Sequence, residues 1–164
     1  MRILAIVAGG VLCALAPFAV AQPKATAPLE SKIEQRKVVR DAGGKESFVA
    51  AEAVKPGDVV EYTATYRNTT RQALTKLEAT LPIPAGTEYV AGTARPANAR
   101  ASVDGTTFGE MPLKRTVKRN GADVVESVPA SEYRALRWYP GTLAGDATLT
   151  YTARVRVIDA RAAQ

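Results

Sequence analysis

The residue types that carry most enzyme chemistry are nearly missing from this 164-residue chain, which has no histidine and a single cysteine, Cys13. Those two are the commonest transition-metal ligands, and histidine is the side chain that ordinarily exchanges a proton near neutral pH. Carboxylates remain, but no D-x-D-x-D-G calcium loop occurs. Asp58, Asp104, Asp123 and Asp146 all fall at turn or hairpin positions, where Asp is favoured because it bonds nearby backbone. Ser31, Ser47, Ser102, Ser127 and Ser131 show neither a nucleophile elbow nor an S-x-x-K spacing. No Gly-rich phosphate loop precedes a helix. Catalysis would have to be assembled from dispersed carboxylates, lysines and tyrosines, so the sequence reads as a non-enzyme with no cofactor and no metal.

What could still bind is a basic run, KRTVKR, that holds Lys114, Arg115, Lys118 and Arg119. Such a run suits anionic glycan, lipid or nucleic acid. Its setting argues against nucleic acid. Asn120-Gly121 suits a two-residue type I′ turn, since both positions tolerate positive φ. Folding residues 113–128 about it sets Val117 against Val124, Leu113 against Val128, Lys118 against Asp123 and Arg115 against Glu126. Half of the run is thereby neutralised, with Lys114 and Arg119 expected to stay free. The aromatics Tyr62, Tyr66, Tyr89, Trp138, Tyr139 and Tyr151 could form a sugar-stacking platform. Tyr62, Tyr66 and Tyr151 lie on inward faces and Trp138 suits the centre of a sandwich, which leaves Tyr89 and Tyr139 as the exposed candidates. Asn68-Thr69-Thr70 matches a glycosylation acceptor but reads better as a turn.

The elements that position these residues are strands. Residues 55–68, KPGDVVEYTATYRN, open on a Pro-Gly turn and then alternate strictly, with Val60, Tyr62, Ala64 and Tyr66 on one side. Its natural partner is the run over 147–157, with Leu149, Tyr151, Ala153, Val155 and Val157 inward. Further strands are expected over 32–40 (a charged edge strand), 47–54, 74–81, 87–93, 100–103 and 106–108, the last two joined by a tight Asp104-Gly105 turn. One helical turn is expected over 131–136 and a short strand over 137–139, ended by a Pro140-Gly141 turn. Repeated short strands without an amphipathic helix predict an antiparallel sandwich.

Residues 1–21 have the form of a secretory leader, with Arg2, an apolar stretch and the small-x-small site Ala19-Val20-Ala21. Gly9, Gly10 and Pro17 interrupt the run, which argues against a retained membrane span. Leu12 stands directly before Cys13, where a lipid-modified cysteine would have a small residue. Cleavage after Ala21 and a periplasmic or secreted location are expected. The whole chain carries 22 Lys and Arg against 16 Asp and Glu, and Arg2 leaves with the leader, so the remainder is about +5. That balance is mild and dispersed. The expected organisation is leader 1–21, flexible tether 22–31, sandwich 32–158 and tail 159–164, one domain that needs no disulfides.

Three stretches, KPGDVVEYTATYRNTT, LPIPAGTEYVAGTA and YRALRWYPGTLAGDATLTYTARVRV, together resemble the bacterial Ig-like conserved repeat domain, domain of unknown function 11. The resemblance rests on Pro56-Gly57-Asp58, Tyr62, Asn68, Leu81-Pro82, Gly86 and Tyr89, then on Trp138, Gly141, Leu143, Gly145 and Leu149. It implies an immunoglobulin-like β-sandwich on exported or surface proteins, without a catalytic motif. The chain departs from the family in a longer middle region, residues 95–127, where a specialised surface could lie. The function expected from all of this is protein–protein interaction in the bacterial cell envelope, through an exposed sheet edge such as residues 32–40 or through the hairpin over 113–128. The alternative is an anionic glycan or lipid bound on the basic hairpin.

Overall fold

The computed structural model describes residues 27–159, so the leader, most of the tether and most of the tail lie outside the described residues. Eleven strands follow in order: β1 Leu29–Arg40, β2 Glu46–Ala50, β3 Val59–Asn68, β4 Leu74–Pro82, β5 Thr87–Tyr89, β6 Arg100–Ser102, β7 Gly109–Glu110, β8 Lys114–Arg119, β9 Ala122–Ser127, β10 Ala135–Leu143 and β11 Thr148–Val157. A single 3₁₀ turn, Ala130–Glu132, precedes β10. All pairing is antiparallel, in a five-stranded sheet ordered β2-β1-β3-β11-β5 and a four-stranded sheet ordered β4-β10-β6-β7. The two sheets pack face to face as an all-β, immunoglobulin-like sandwich.

The alternation in the sequence explains the layers. Val60 and Ala64 of β3 and Tyr151, Ala153 and Val155 of β11 point into the sandwich and meet Ala79, Leu81, Leu136 and Trp138 of the opposing sheet. Trp138 fills the centre, tilted against Tyr151 at 4.8 Å between ring centroids, and its indole N–H donates to the Pro96 carbonyl at 2.8 Å. Burying a ring of this size contributes on the order of several kcal/mol. β3 and β11 are partners, as expected, with Ala64 opposite Tyr151 and Val60 opposite Val155.

Several expectations are corrected. β1 begins at Leu29, and the Ala27 and Pro28 carbonyls already accept bonds from Thr69, so the fold reaches into the expected tether. The 32–40 strand is no simple edge: β2 covers Arg36–Arg40, and only the half before it is open on that side. Pro140-Gly141 does not end a strand. It forms a bulge inside β10, where the register to β4 shifts between Trp138 and Gly141 and Gly141 takes a φ of 74°. No tight two-residue turn follows β6. Residues 103–108 instead wrap the Asp104 carboxylate, which accepts from the Thr106 and Thr107 amides and the Ser102 hydroxyl. Those amides, Thr107 first, hold the Asp104 carboxyl well below the usual carboxylate range.

Asn68 settles the acceptor motif. Its side chain is 0 % exposed, which leaves no room for a glycan in the folded chain. Its amide donates to the carbonyls of Gln72, Leu143 and Ala144 at 2.7–3.2 Å, and its oxygen accepts from the Thr70 amide and hydroxyl. The β3–β4 turn is thereby bound to the β10–β11 turn. Gly145 completes the junction, because a Cβ there would collide with the Arg71 backbone. On the outer face of the large sheet, the Arg154 guanidinium of β11 bonds Glu61 of β3 at 2.8 Å and Glu46 of β2 at 2.9 Å, while Arg40 bonds Glu46 at 2.6 Å.

Two outcomes are expected. Asn68→Ala strands three carbonyls and an amide in the junction and costs roughly 2–4 kcal/mol, and Gly145→Ala costs about 1–3 kcal/mol through overpacking. Urea unfolding midpoints check both. Arg154, then Arg40, lower the Glu46 carboxyl to about 2 in the folded chain. A carboxyl depressed on folding contributes stability above its ordinary pKa of about 4.3 and loses it as pH falls through the folded value. Unfolding midpoints should therefore hold from neutrality to about pH 5 and then decline, and Glu46→Gln should decline less steeply over that interval.

Candidate interaction surface

The hairpin of β8 and β9 stands apart from both sheets as a two-stranded sheet of its own. Its register is the expected one, Val117 opposite Val124, Lys118 opposite Asp123 and Arg115 opposite Glu126. Asn120 and Gly121 turn it with φ of 51° and 83°, as a type I′ turn requires. A lone ribbon is marginal in water, and this one is held at its root. The Val128 amide donates to the Leu113 carbonyl at 2.8 Å, the Leu113 amide donates to the Tyr133 hydroxyl at 3.0 Å, and Arg115 bonds Glu132 beyond the ribbon at 2.6 Å. Val128 and Tyr133 are themselves buried in the core.

Because directly opposed residues share a face, the pairing splits the four basic residues between two faces. Arg115 and Arg119 lie with Val117, Val124 and Glu126 on one; Lys114 and Lys118 lie with Thr116, Val125 and Asp123 on the other. Arg119 is not free as expected. It reaches along its face to Glu126 at 2.8 Å, and Arg115 bonds the same carboxylate at 2.8 Å. Arg115 first, and Arg119 after it, hold the Glu126 carboxyl below its ordinary range, and with Glu132 on Arg115 both arginines of this face are bound to carboxylates. Lys118 faces Asp123 by register but forms no ion pair with it, and Lys114 has no acidic partner among the described residues. What remains is two lysines around Val125, which is 64 % exposed, while Val124 on the opposite face is 40 % exposed.

Beside the ribbon's root lies an apolar cleft of about 440 Å³, lined by Tyr89, Ala94, Met111, Pro112, Val128 and Tyr133. A more polar cleft of about 510 Å³ adjoins it through Ala97 and Met111 and includes Arg100, Glu110 and Tyr139. The middle region thus supplies the ribbon and part of both clefts. Tyr89 was expected to be exposed and is 4 % exposed instead, stacked on Tyr133 at 6.1 Å with its hydroxyl accepting from the Ala94 amide. Tyr139 is 46 % exposed, as expected, with the Arg100 guanidinium 5.6 Å from its ring centroid. The other well-exposed aromatic among the described residues, Phe48, is on the other sheet, so no stacking platform forms. Met111 and Tyr133 lie in loops without periodicity, and nothing in the sequence marked them as cleft residues.

Among the described residues, no group of three or more His, Cys, Asp and Glu is placed to hold a metal ion, and no helix is long and apolar enough to cross a membrane. Comparison with protein-family models, curated proteins and solved structures returns no match to the chain. The fold and this surface therefore define the class, a β-sandwich bearing a ribbon that belongs to neither of its sheets.

The charge accounting on the ribbon yields an expected outcome. Glu126→Gln removes the carboxylate the two arginines share, freeing Arg119 while Glu132 still holds Arg115, and should raise retention on anionic vesicles at low salt. Lys114→Ala with Lys118→Ala should lower it. Co-sedimentation with vesicles of mixed anionic and neutral lipid checks both.

Proposed function

We propose that this chain is an exported, non-catalytic immunoglobulin-like module of the cell envelope, related to the conserved repeat domain it resembles, and that it binds another protein through the ribbon. The observation that carries the reading is the pair of exposed valines, Val124 and Val125, on opposite faces of a ribbon that neither sheet covers. Isolated apolar residues on a surface are ordinary, but a ribbon with bare outer edges offers backbone hydrogen bonds as well, the usual terms of strand addition. The leader-like segment supports export. The partner that fits is an extended segment with apolar residues for Val125 and an acidic side chain for Lys114 and Lys118.

The reading as a site for anionic glycan or lipid keeps only those two lysines. Their attraction is screened within about 8 Å at physiological ionic strength. Placing a photo-crosslinking amino acid at Val125, and separately at Thr150 on the outer face of the large sheet, tests the proposal in cells that export the chain. A discrete adduct containing a second polypeptide is expected from position 125 and not from 150, and is expected to fade when Lys114 and Lys118 are both changed to Glu. Equal labelling at the two positions, or none, overturns it. Salt-sensitive binding to anionic vesicles without a protein adduct favours the alternative.

A further inference from the structure

The apolar cleft beside the ribbon's root has hydrocarbon walls and an unpaired guanidinium at its rim. Tyr89, Ala94, Met111, Pro112, Val128 and Tyr133 line it, with further alanines and one glycine between them, and no acidic or basic residue is among the lining. The two phenol hydroxyls are already engaged, Tyr89 accepting from the Ala94 amide and Tyr133 from the Leu113 amide. The other lining side chains offer hydrocarbon and the Met111 thioether. Its volume, about 440 Å³, lies in the range of small-molecule sites, roughly 300–1,000 Å³. An extended peptide does not suit such walls, because its amides would be buried against hydrocarbon without partners. An alkyl chain carries no such groups and gains with every methylene covered.

Arg95 supplies the charge. Its Nη1 donates to the carbonyls of Gly92 and Ala94, both at 2.8 Å, and both of those residues line the cleft. These bonds use both Nη1 protons and fix the plane of the guanidinium. The Nε and Nη2 edge bonds nothing among the described residues, and that edge is the fork that holds a carboxylate through two parallel bonds. Elsewhere the fold satisfies arginines with acids, Arg40 on Glu46 at 2.6 Å and Arg137 on Glu78 at 2.8 Å. Arg95 has no acidic partner among the described residues. Arg100, in the adjoining polar cleft, suits an anion less well, because Glu110 stands 3.7 Å from it and repels one.

We infer that the cleft binds a free fatty acid, its single alkyl chain against Met111 and Tyr133 and its carboxylate on the Nε and Nη2 edge of Arg95. The ligand then has one charged end for the one unpaired charge at the rim, and the apolar remainder meets only apolar side chains. Ala97 and Met111 also line the polar cleft, so the far end of a longer chain leaves the site there. No residue of β8 or β9 lines the cleft, so the site is separate from the ribbon surface.

Methyl-labelled methionine tests this in the full chain, which contains two methionines, Met1 and Met111. Dodecanoate, titrated below its micellar concentration, should shift the Met111 methyl resonance to saturation at one equivalent. Affinity should rise several-fold from octanoate to decanoate and again to dodecanoate. Dodecanol has the same chain without the charge and should bind about tenfold more weakly. Arg95→Gln should bring dodecanoate down to the level of dodecanol and leave dodecanol unchanged. If that variant fails to fold, Arg95→Lys, which keeps the charge without the fork, should still narrow the gap. Ala97→Phe fills the cleft from an exposed position and should abolish binding of both ligands. Lys114→Ala with Lys118→Ala should change nothing. An unshifted Met111 methyl, equal affinity for the acid and the alcohol, or binding that survives Ala97→Phe overturns the inference. So does loss of binding in the double lysine variant, or an equal Met111 shift on phospholipid vesicles free of fatty acid, which makes the ligand a membrane.

Discussion

The Asn68 side chain is the interaction on which the two layers depend. Five hydrogen bonds converge on one buried amide, and they join the end of β3 to the β3–β4 and β10–β11 turns, each of which leads from one sheet to the other. A hydrophobic core fixes distance between sheets better than it fixes their lateral position, because apolar contact is non-directional. Directional bonds at one end of the sandwich supply the missing constraint. Gly145 belongs to the same device, since only the absence of a Cβ lets the β10–β11 turn lie against the Arg71 backbone. With that corner pinned, Trp138 and Tyr151 meet in the centre, and the ionic links among Arg154, Glu61, Glu46 and Arg40 tie β2 and β11 across the outer face.

Features governed by local geometry were legible in the sequence. Side-chain direction alternates within a strand whatever the neighbours are, so the buried faces of β3 and β11 follow from spacing alone. The ribbon register follows from Asn120-Gly121 in the same way. Features set by chain path were not legible. That β2 folds back to cover half of β1 depends on the path of residues 51–58, which pass β1 to join β2 to β3 within one sheet, and no periodicity reports it. Tyr89 is buried because the 3₁₀ turn brings Tyr133 beside it, an encounter between residues 44 positions apart in sequence. Arg119 finds Glu126 because a long side chain can reach past its direct opposite, which pairwise register does not count. The bulge at Gly141 has the composition of a turn and was read as one. For the candidate surface, the basic residues were visible, but their division between two faces, and the binding of both arginines by carboxylates, emerged only with the structure.

Charge in this fold is spent mostly on itself. Of the four basic residues in the ribbon, two are bound to carboxylates, and the outer sheet face repeats the pattern with Arg40, Arg154 and Arg156 each held by an acidic neighbour. The mild positive balance of the chain therefore overstates the positive potential available to a ligand. Backbone edges and exposed β-branched residues are what the surface offers in quantity, and both are features of strands that meet other strands.

The ribbon shares no backbone ladder with either sheet, and that has a consequence for how the molecule fluctuates and how it changes. Its opening breaks only its own bonds and the few at its root, so it forms a small cooperative unit whose amides exchange with solvent long before those of β3 or β11. Sequence drift follows the same partition. Substitutions between Lys114 and Ser127 leave the buried corner at Asn68 and the aromatic centre untouched, so the surface of the ribbon is free to diversify while the scaffold stays constant.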